Sequence, residues 1–268
     1  MRRLRVISRP SFFAVPADNA ASAQPQHHGV SRVRTGFHVP ATCLLTALLV
    51  VGCGGNLRPD GTGESDPLER MAVAGDWNAI AATNVGCGAR TDACAKAHAT
   101  QGDACLRLAI EQPQSASAKD SRMRKLLDCA EEGYRKALQQ QPSKTASSRI
   151  SYHGGLLLTL SERRNRLDDG AKEKKLDREN EKLLVAAQDA RREAPSSALG
   201  FLYGASAHVY HAALQPRGRD RCGDLTQADA MLRRSPPPPR ELAAEQERIR
   251  SLAQRQLREN SCPRINPR

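Results

Sequence analysis

The chain has 268 residues, room for one medium helical domain or two small ones, with 3% aromatic residues and a single tryptophan, Trp77. Alanine and leucine must then fill most of the core, which favours close-packed helices and argues against a β-sandwich. The formal net charge of +12 falls to +7 once residues 1–52 are set aside, and the remaining basic residues are mixed with acids and lack interleaved aromatics, so an anionic surface or acidic partner is expected and nucleic acid is not.

Residues 41–51 form an uncharged, mostly apolar run of 11 residues with Arg32 and Arg34 upstream. A bilayer span needs about 17–25 residues, so this run has the length of a signal-peptide core rather than of a membrane helix. Val50-Val51-Gly52-Cys53 follows, and it resembles the lipobox of bacterial lipoproteins. The resemblance implies cleavage before Cys53, a diacylglycerol thioether on its sulfur, and palmitate-type acylation. With Gly54 rather than an aspartate next, it also implies an outer-membrane anchor facing the periplasm. About 40 residues precede the apolar run, far more than a signal needs, so translation is expected to begin later, at a non-Met codon such as that of Val30, Val33 or Val39. The plainer reading of 41–51 is a buried strand or short helix after a disordered tail. Residues 53–66 are glycine-rich and polar, suited to a flexible lipidated tether.

Beyond the tether the punctuation is helical. Asp66-Pro67-Leu68-Glu69 starts a short helix reaching about Val73, and a second over Asp76–Thr83 buries Trp77 and Ile80. Gly86-Cys87-Gly88 breaks the pattern. A helix rich in small residues runs from Thr91 or Asp92 to about Glu111, and a polar loop over 112–119 leads into another over 120–140, ended by Pro142. Helices over Ser148–Asn165 and Ala171–Glu193 flank a turn at Asp168-Asp169-Gly170. Ser197–Leu214 is apolar nearly all round and should be the most buried helix. A short helix near Leu225–Leu232, the proline run Pro236–Pro239 and a last helix over Arg240–Glu259 complete the chain; no strand is predicted. The expected division is a signal region over 1–52, the tether over 53–66, a helical domain over 67–262 and a tail over 263–268.

With Cys43 removed and Cys53 acylated, six cysteines remain: Cys87, Cys94, Cys105, Cys129, Cys222 and Cys262. An even number in an exported chain points to disulfides. The helix order places Cys87 beside Cys94, Cys105 across from Cys129 on consecutive helices, and Cys222 near Cys262, although six cysteines allow 15 pairings. Free buried thiols or a metal site are the alternatives; no Cys-x-x-Cys is present, and the spacings of 7, 11, 24, 93 and 40 fit no zinc pattern.

The helix pairs resemble one another at an offset of 53: Tyr134, Ala137 and Pro142 correspond to Ala187, Ala190 and Pro195, and Gly102 precedes Gly155 by the same interval. Ala130-x3-Tyr134-x2-Ala137-x4-Pro142 resembles the second helix of a tetratricopeptide (TPR) repeat. The units are longer than the family's 34 residues, and Cys105 and Leu158 stand where its first helix carries a tyrosine. The resemblance implies an all-α, TPR-like helix-hairpin solenoid, stapled by disulfides; the alternative is an irregular helical bundle.

No catalytic motif is present: no G-x-S-x-G, P-loop, H-E-x-x-H or dinucleotide fingerprint. His208 and His211 lie three apart on one helix and, with His98 and His153, could be imagined as a metal site, though packing roles suit them better. Asp168-Asp169 reads as a turn and 172–182 as a solvated face. The expected function is therefore that of a non-enzymatic scaffold anchored in the envelope, requiring no cofactor or metal. It would bind an envelope protein or peptide through side chains such as Tyr134, Tyr152 and Tyr203, and reach the membrane through its lipid. Alternatives are a periplasmic immunity lipoprotein that neutralises a delivered toxin, or a peptidoglycan-acting enzyme, whose mark would be a cleft with paired carboxylates or a nucleophile beside a base.

Overall fold

The computed structural model describes residues 56–57, 67–87, 89–113, 120–143, 147–167, 173–216 and 218–263. The expected signal region, the lipobox-like segment with Cys53, the expected turn at 168–170 and residues 264–268 lie outside the described residues.

The fold is all-α. Among the described residues, nine helices follow in order: α1 Pro67–Ala74, α2 Trp77–Ala82, α3 Asp92–Glu111, α4 Ser121–Gln140, α5 Ser147–Asn165, α6 Glu173–Glu193, α7 Leu199–Leu214, α8 Arg219–Arg234 and α9 Arg240–Glu259. Local chemistry sets several of their starts. The Asp76 carboxylate accepts from Ala79 N ahead of α2, Thr91 accepts from Cys94 N ahead of α3, and Asp120 accepts from both Arg122 N and Met123 N ahead of α4. The expectation of no strand needs correcting. β1 Asn56–Leu57, within the expected tether, pairs in parallel with β2 Asn84–Val85. Two residues carry no readable alternation, and their partner lies far along the chain. The eighth helix is also longer than expected. It begins at Arg219 rather than near Leu225, because Arg219–Asp224 is polar and carries no apolar periodicity to announce it.

From α3 onward, each helix packs against its successor, and α3 with α5, α5 with α7 and α7 with α9 are also in contact. The odd-numbered helices are thus mutual neighbours in one layer, with the even-numbered ones laid against them. Small residues make the approach possible. A methyl group on Gly133 would stand 2.8 Å from the Cα of Gly102 and 2.9 Å from the carbonyl oxygen of His98, so α3 and α4 touch backbone to backbone. At α6–α7 a methyl on Gly200 would stand 2.8 Å from the carbonyl oxygen of Ala187. Between α4 and α5 an aromatic ring fills the gap: Tyr134 lies against both Gly102 and Gly155. Fifty-three residues on, Ala187 offers no ring, and α7 closes in through Gly200 and Gly204 instead.

Apolar packing is continuous with these contacts. Leu68, Ile80, Val85, Ala97 and Ala104 form one cluster, joined by Trp77 and Cys87. Ala95, Ala99, Ala137 and Tyr152 form a second, and Ala109, Met123 and Leu127 a third. Helix α7 is buried along most of its length, as its composition predicts. Disulfides join Cys87–Cys94, Cys105–Cys129 and Cys222–Cys262, the pairs that the helix order places together. No helix among the described residues is long and apolar enough to cross a membrane.

Candidate functional site

The three tyrosines expected to meet a partner are buried, which corrects that expectation. Tyr134 is 2% exposed, Tyr152 8% and Tyr203 5%. In a protein this poor in aromatics the rings are needed for filling the spaces between helices. The Tyr134 hydroxyl donates to Asp103 Oδ1 at 2.6 Å, and burial, with the Asp103 charge beside it, pushes its pKa well up. Tyr203 is likewise raised by burial, chiefly, and by the nearby Glu245 charge.

The four histidines do not converge. His98 lies on the first turns of α3 and His153 on α5, where its Nε2 stands 3.0 Å from Glu193 Oε2. Arg149 also pairs with Glu193, so one carboxylate at the end of α6 holds two basic side chains of α5. Burial raises the Glu193 pKa, but the hydrogen bonds from His153 and Arg149 outweigh it and hold the carboxyl below its ordinary range.

His208 and His211, three residues apart on α7, do form a constellation. Its third member, Asp224 at the start of α8, was not singled out in the sequence. Its carboxylate takes His208 Nδ1 at 2.9 Å through Oδ1 and His211 Nδ1 at 2.8 Å through Oδ2. One carboxylate bridging two imidazoles sets both ring orientations and, in the neutral rings, puts the proton on Nδ1. The Nε2 of His211 meets the Gln215 side-chain nitrogen at 3.0 Å, which fits a donor facing an unprotonated Nε2. The group is partly exposed, and the only sequence signal for Asp224 was an acid just after a break that follows a His-x2-His helix.

A second constellation lies at the start of α3. Cys94 and His98 are one helical turn apart, and Cys87 approaches from the loop after β2. The Sγ of Cys87 stands 3.7 Å from His98 Nε2, and donor atoms of the three residues all lie within 4.8 Å of one another. Two thiolates and an imidazole at this separation would suit a soft metal, but here the sulfurs are bonded to each other and offer no thiolate.

Arg164 is a feature with no sequence signal. It is fully buried on α5 and reaches into the α6–α7 interface, donating to Asn180 Oδ1 at 3.2 Å and Ser206 Oγ at 3.3 Å. Its guanidinium lies 4.5 Å from the centre of the Tyr210 ring. Burial lowers its pKa to about 10, so it stays charged at neutral pH. An open hollow of about 570 Å³ lies between α8 and α9, lined in part by Leu232, Pro236, Pro237, Ala243, Glu247 and Arg250. Its carboxylate, Glu247, is engaged by Arg250 Nη1 at 2.8 Å. No family model, curated protein or solved structure matches this chain.

Proposed function

We propose that this chain is a lipid-anchored envelope protein whose helical domain is a TPR-like scaffold for another envelope protein or peptide. The observation that carries the reading is the seat of Tyr134. The tetratricopeptide pattern asks for a small residue, an aromatic and a small residue on a second helix, with the ring plugging the joint to the next pair. Ala130, Tyr134 and Ala137 are buried on α4, and the Tyr134 ring lies between Gly102 of its own pair and Gly155 of the next. The sequential packing of helices suits such a stack, in which each unit leans mainly on its neighbours. Three disulfides suit an oxidising compartment outside the cytosol, and the lipobox resemblance supplies the route there. With the three tyrosines buried, exposed polar side chains are left to meet the partner, and the excess of arginine favours an acidic one.

The test has two parts. Cells expressing the chain are labelled with radioactive palmitate and fractionated; label on the wild type, its loss in Cys53→Ser and sedimentation with membranes are expected. Crosslinking and capture from envelope fractions then compares the anchored wild type with Cys53→Ser. A partner enriched by the anchored form supports the scaffold. An unlabelled, cytosolic product overturns the anchor, and no protein above background overturns the scaffold.

A further inference from the structure

We propose that Cys87–Cys94 is an exchangeable disulfide, opened and closed by a dithiol or disulfide partner, with His98 holding the thiolate of Cys87. Three observations at this place carry the proposal. The two sulfurs differ in access: Cys94 is 1% exposed, whereas Cys87 is partly open to solvent on the loop before α3, so an incoming thiolate meets Cys87 first. The imidazole lies against that same sulfur, with His98 Nε2 at 3.7 Å. Finally, His98 is buried and its Nδ1 has no hydrogen-bond partner, so Cys87 is the one polar contact described for this ring. A buried imidazole serving only the packing would be expected to satisfy its nitrogens elsewhere. The other two disulfides have no histidine contact of this kind among the described residues.

The surroundings suit the role. Burial lowers the His98 pKa, Lys136 on α4 lowers it further and Glu132 on α4 opposes them, so the ring is neutral at pH 7. With its proton on Nε2 it donates to the sulfur, and a charge-assisted bond of this type favours thiolate over thiol. The reaction balances without any other group. One thiolate of a partner dithiol attacks Cys87 Sγ, the Cys87–Cys94 bond breaks, and its electron pair leaves on Cys94 Sγ. The partner's second thiolate then attacks its own sulfur in the mixed disulfide, and the electron pair leaves on Cys87 Sγ beside His98. The partner is oxidised by two electrons to a disulfide and the cystine is reduced by two; of the two protons of the partner's thiols, one ends on Cys94 and the other passes to solvent, leaving Cys87 a thiolate beside His98. Run backwards, the Cys87 thiolate opens a partner disulfide and Cys94 releases the product.

This does not rest on the scaffold reading, and the test uses the full chain in solution. The oxidised protein is treated with limiting dithiothreitol at pH 7, quenched by alkylation at intervals, and read by peptide mass at each cystine. Cys87–Cys94 should open about tenfold faster than Cys105–Cys129 and Cys222–Cys262, because Cys87 is the accessible sulfur, and His98→Gln should slow the second displacement, in which Cys87 Sγ leaves, so that the mixed disulfide accumulates. A second arm uses Cys94→Ser, which frees Cys87: its alkylation by iodoacetamide at pH 7 should fall about tenfold when His98→Gln is added. Opening no faster than the other two, or a rate at Cys87 indifferent to His98, overturns the proposal. Because the first arm needs no cysteine variant, a misfolded Cys94→Ser protein leaves it decided all the same.

Discussion

The ring of Tyr134 occupies the hollow that Gly155 leaves on the next helix: a methyl group at position 155 would stand 2.2 Å from the ring's Cε1 and Cζ. The joint between α4 and α5 therefore depends on an aromatic and a missing side chain together. Gly155→Ala should lower stability by about 1–3 kcal/mol in denaturant unfolding. Adding Tyr134→Leu should make the pair markedly less costly than the sum of the two single changes. Additive losses would show that the ring and the glycine do not share one space.

Gly133→Ala makes the opposite case. The obstacle there is the α3 backbone at Gly102 and His98, which no side-chain rotation can remove. The loss should be at least as large as for Gly155→Ala, and Tyr134→Leu should not relieve it. Equal relief in both backgrounds would mean that α3 and α4 are less tightly apposed than described.

Glu193 should give a pH-dependent contribution of readable sign. Its pKa is lowered in the fold from an ordinary 4.5 by His153 and Arg149, so the stability it adds is present above that value and is lost as pH falls through the folded pKa. Glu193→Gln should therefore lower the Tm at pH 7, and the difference from the wild type should shrink steadily once the pH drops below the ordinary carboxylate range. A gap that stays constant down to acid would disprove the linkage.

Arg164 should behave as a buried charge whose solvation has been replaced by fixed polar partners. Arg164→Ala leaves Asn180 Oδ1 and Ser206 Oγ without their donor and opens a void, so unfolding should be easier by about 3–5 kcal/mol. Arg164→Lys should recover little, because a single ammonium cannot reproduce a planar fork that reaches both groups while lying over Tyr210.

The bridge from Asp224 to His208 and His211 is open to a spectroscopic check. In nitrogen NMR, at a pH where the rings are neutral, both imidazoles should be in the Nδ1–H form. Asp224→Ala should return His208 to the tautomer mixture of a free histidine, while the Gln215 donor continues to favour the Nδ1–H form in His211. Protonated Nε2 atoms in the wild type would contradict the geometry.

The sequence made the helices legible because their signals are local. Thr91 caps where a helix start is expected, Pro142 follows the end of α4, and the apolar run in α7 announces its burial. The three cystines follow from helix order in the same way. What escaped depends on pairs distant in sequence or on polar groups that look ordinary in isolation. Nothing about Arg164 distinguishes it from neighbouring Arg163 until α6 and α7 close over it. Asp224 looks like any acid near a helix start until the turn between α7 and α8 brings it under two histidines. Tyrosines were expected at a binding face only by resemblance to the concave helices of TPR stacks. In a chain with so few rings, the interior takes them first.

The cystine Cys222–Cys262 ties the first turn of α8 to the chain just beyond α9, closing a span of 40 residues. In a stack whose members lean on adjacent ones, melting starts at the free margin, since a terminal helix is buttressed from one side only. This bond removes that margin: α9 cannot peel away without dragging the root of α8 along. On loop-closure entropy it contributes about 4 kcal/mol. Reduction should therefore convert a single sharp melt into one that begins with the release of the last helix.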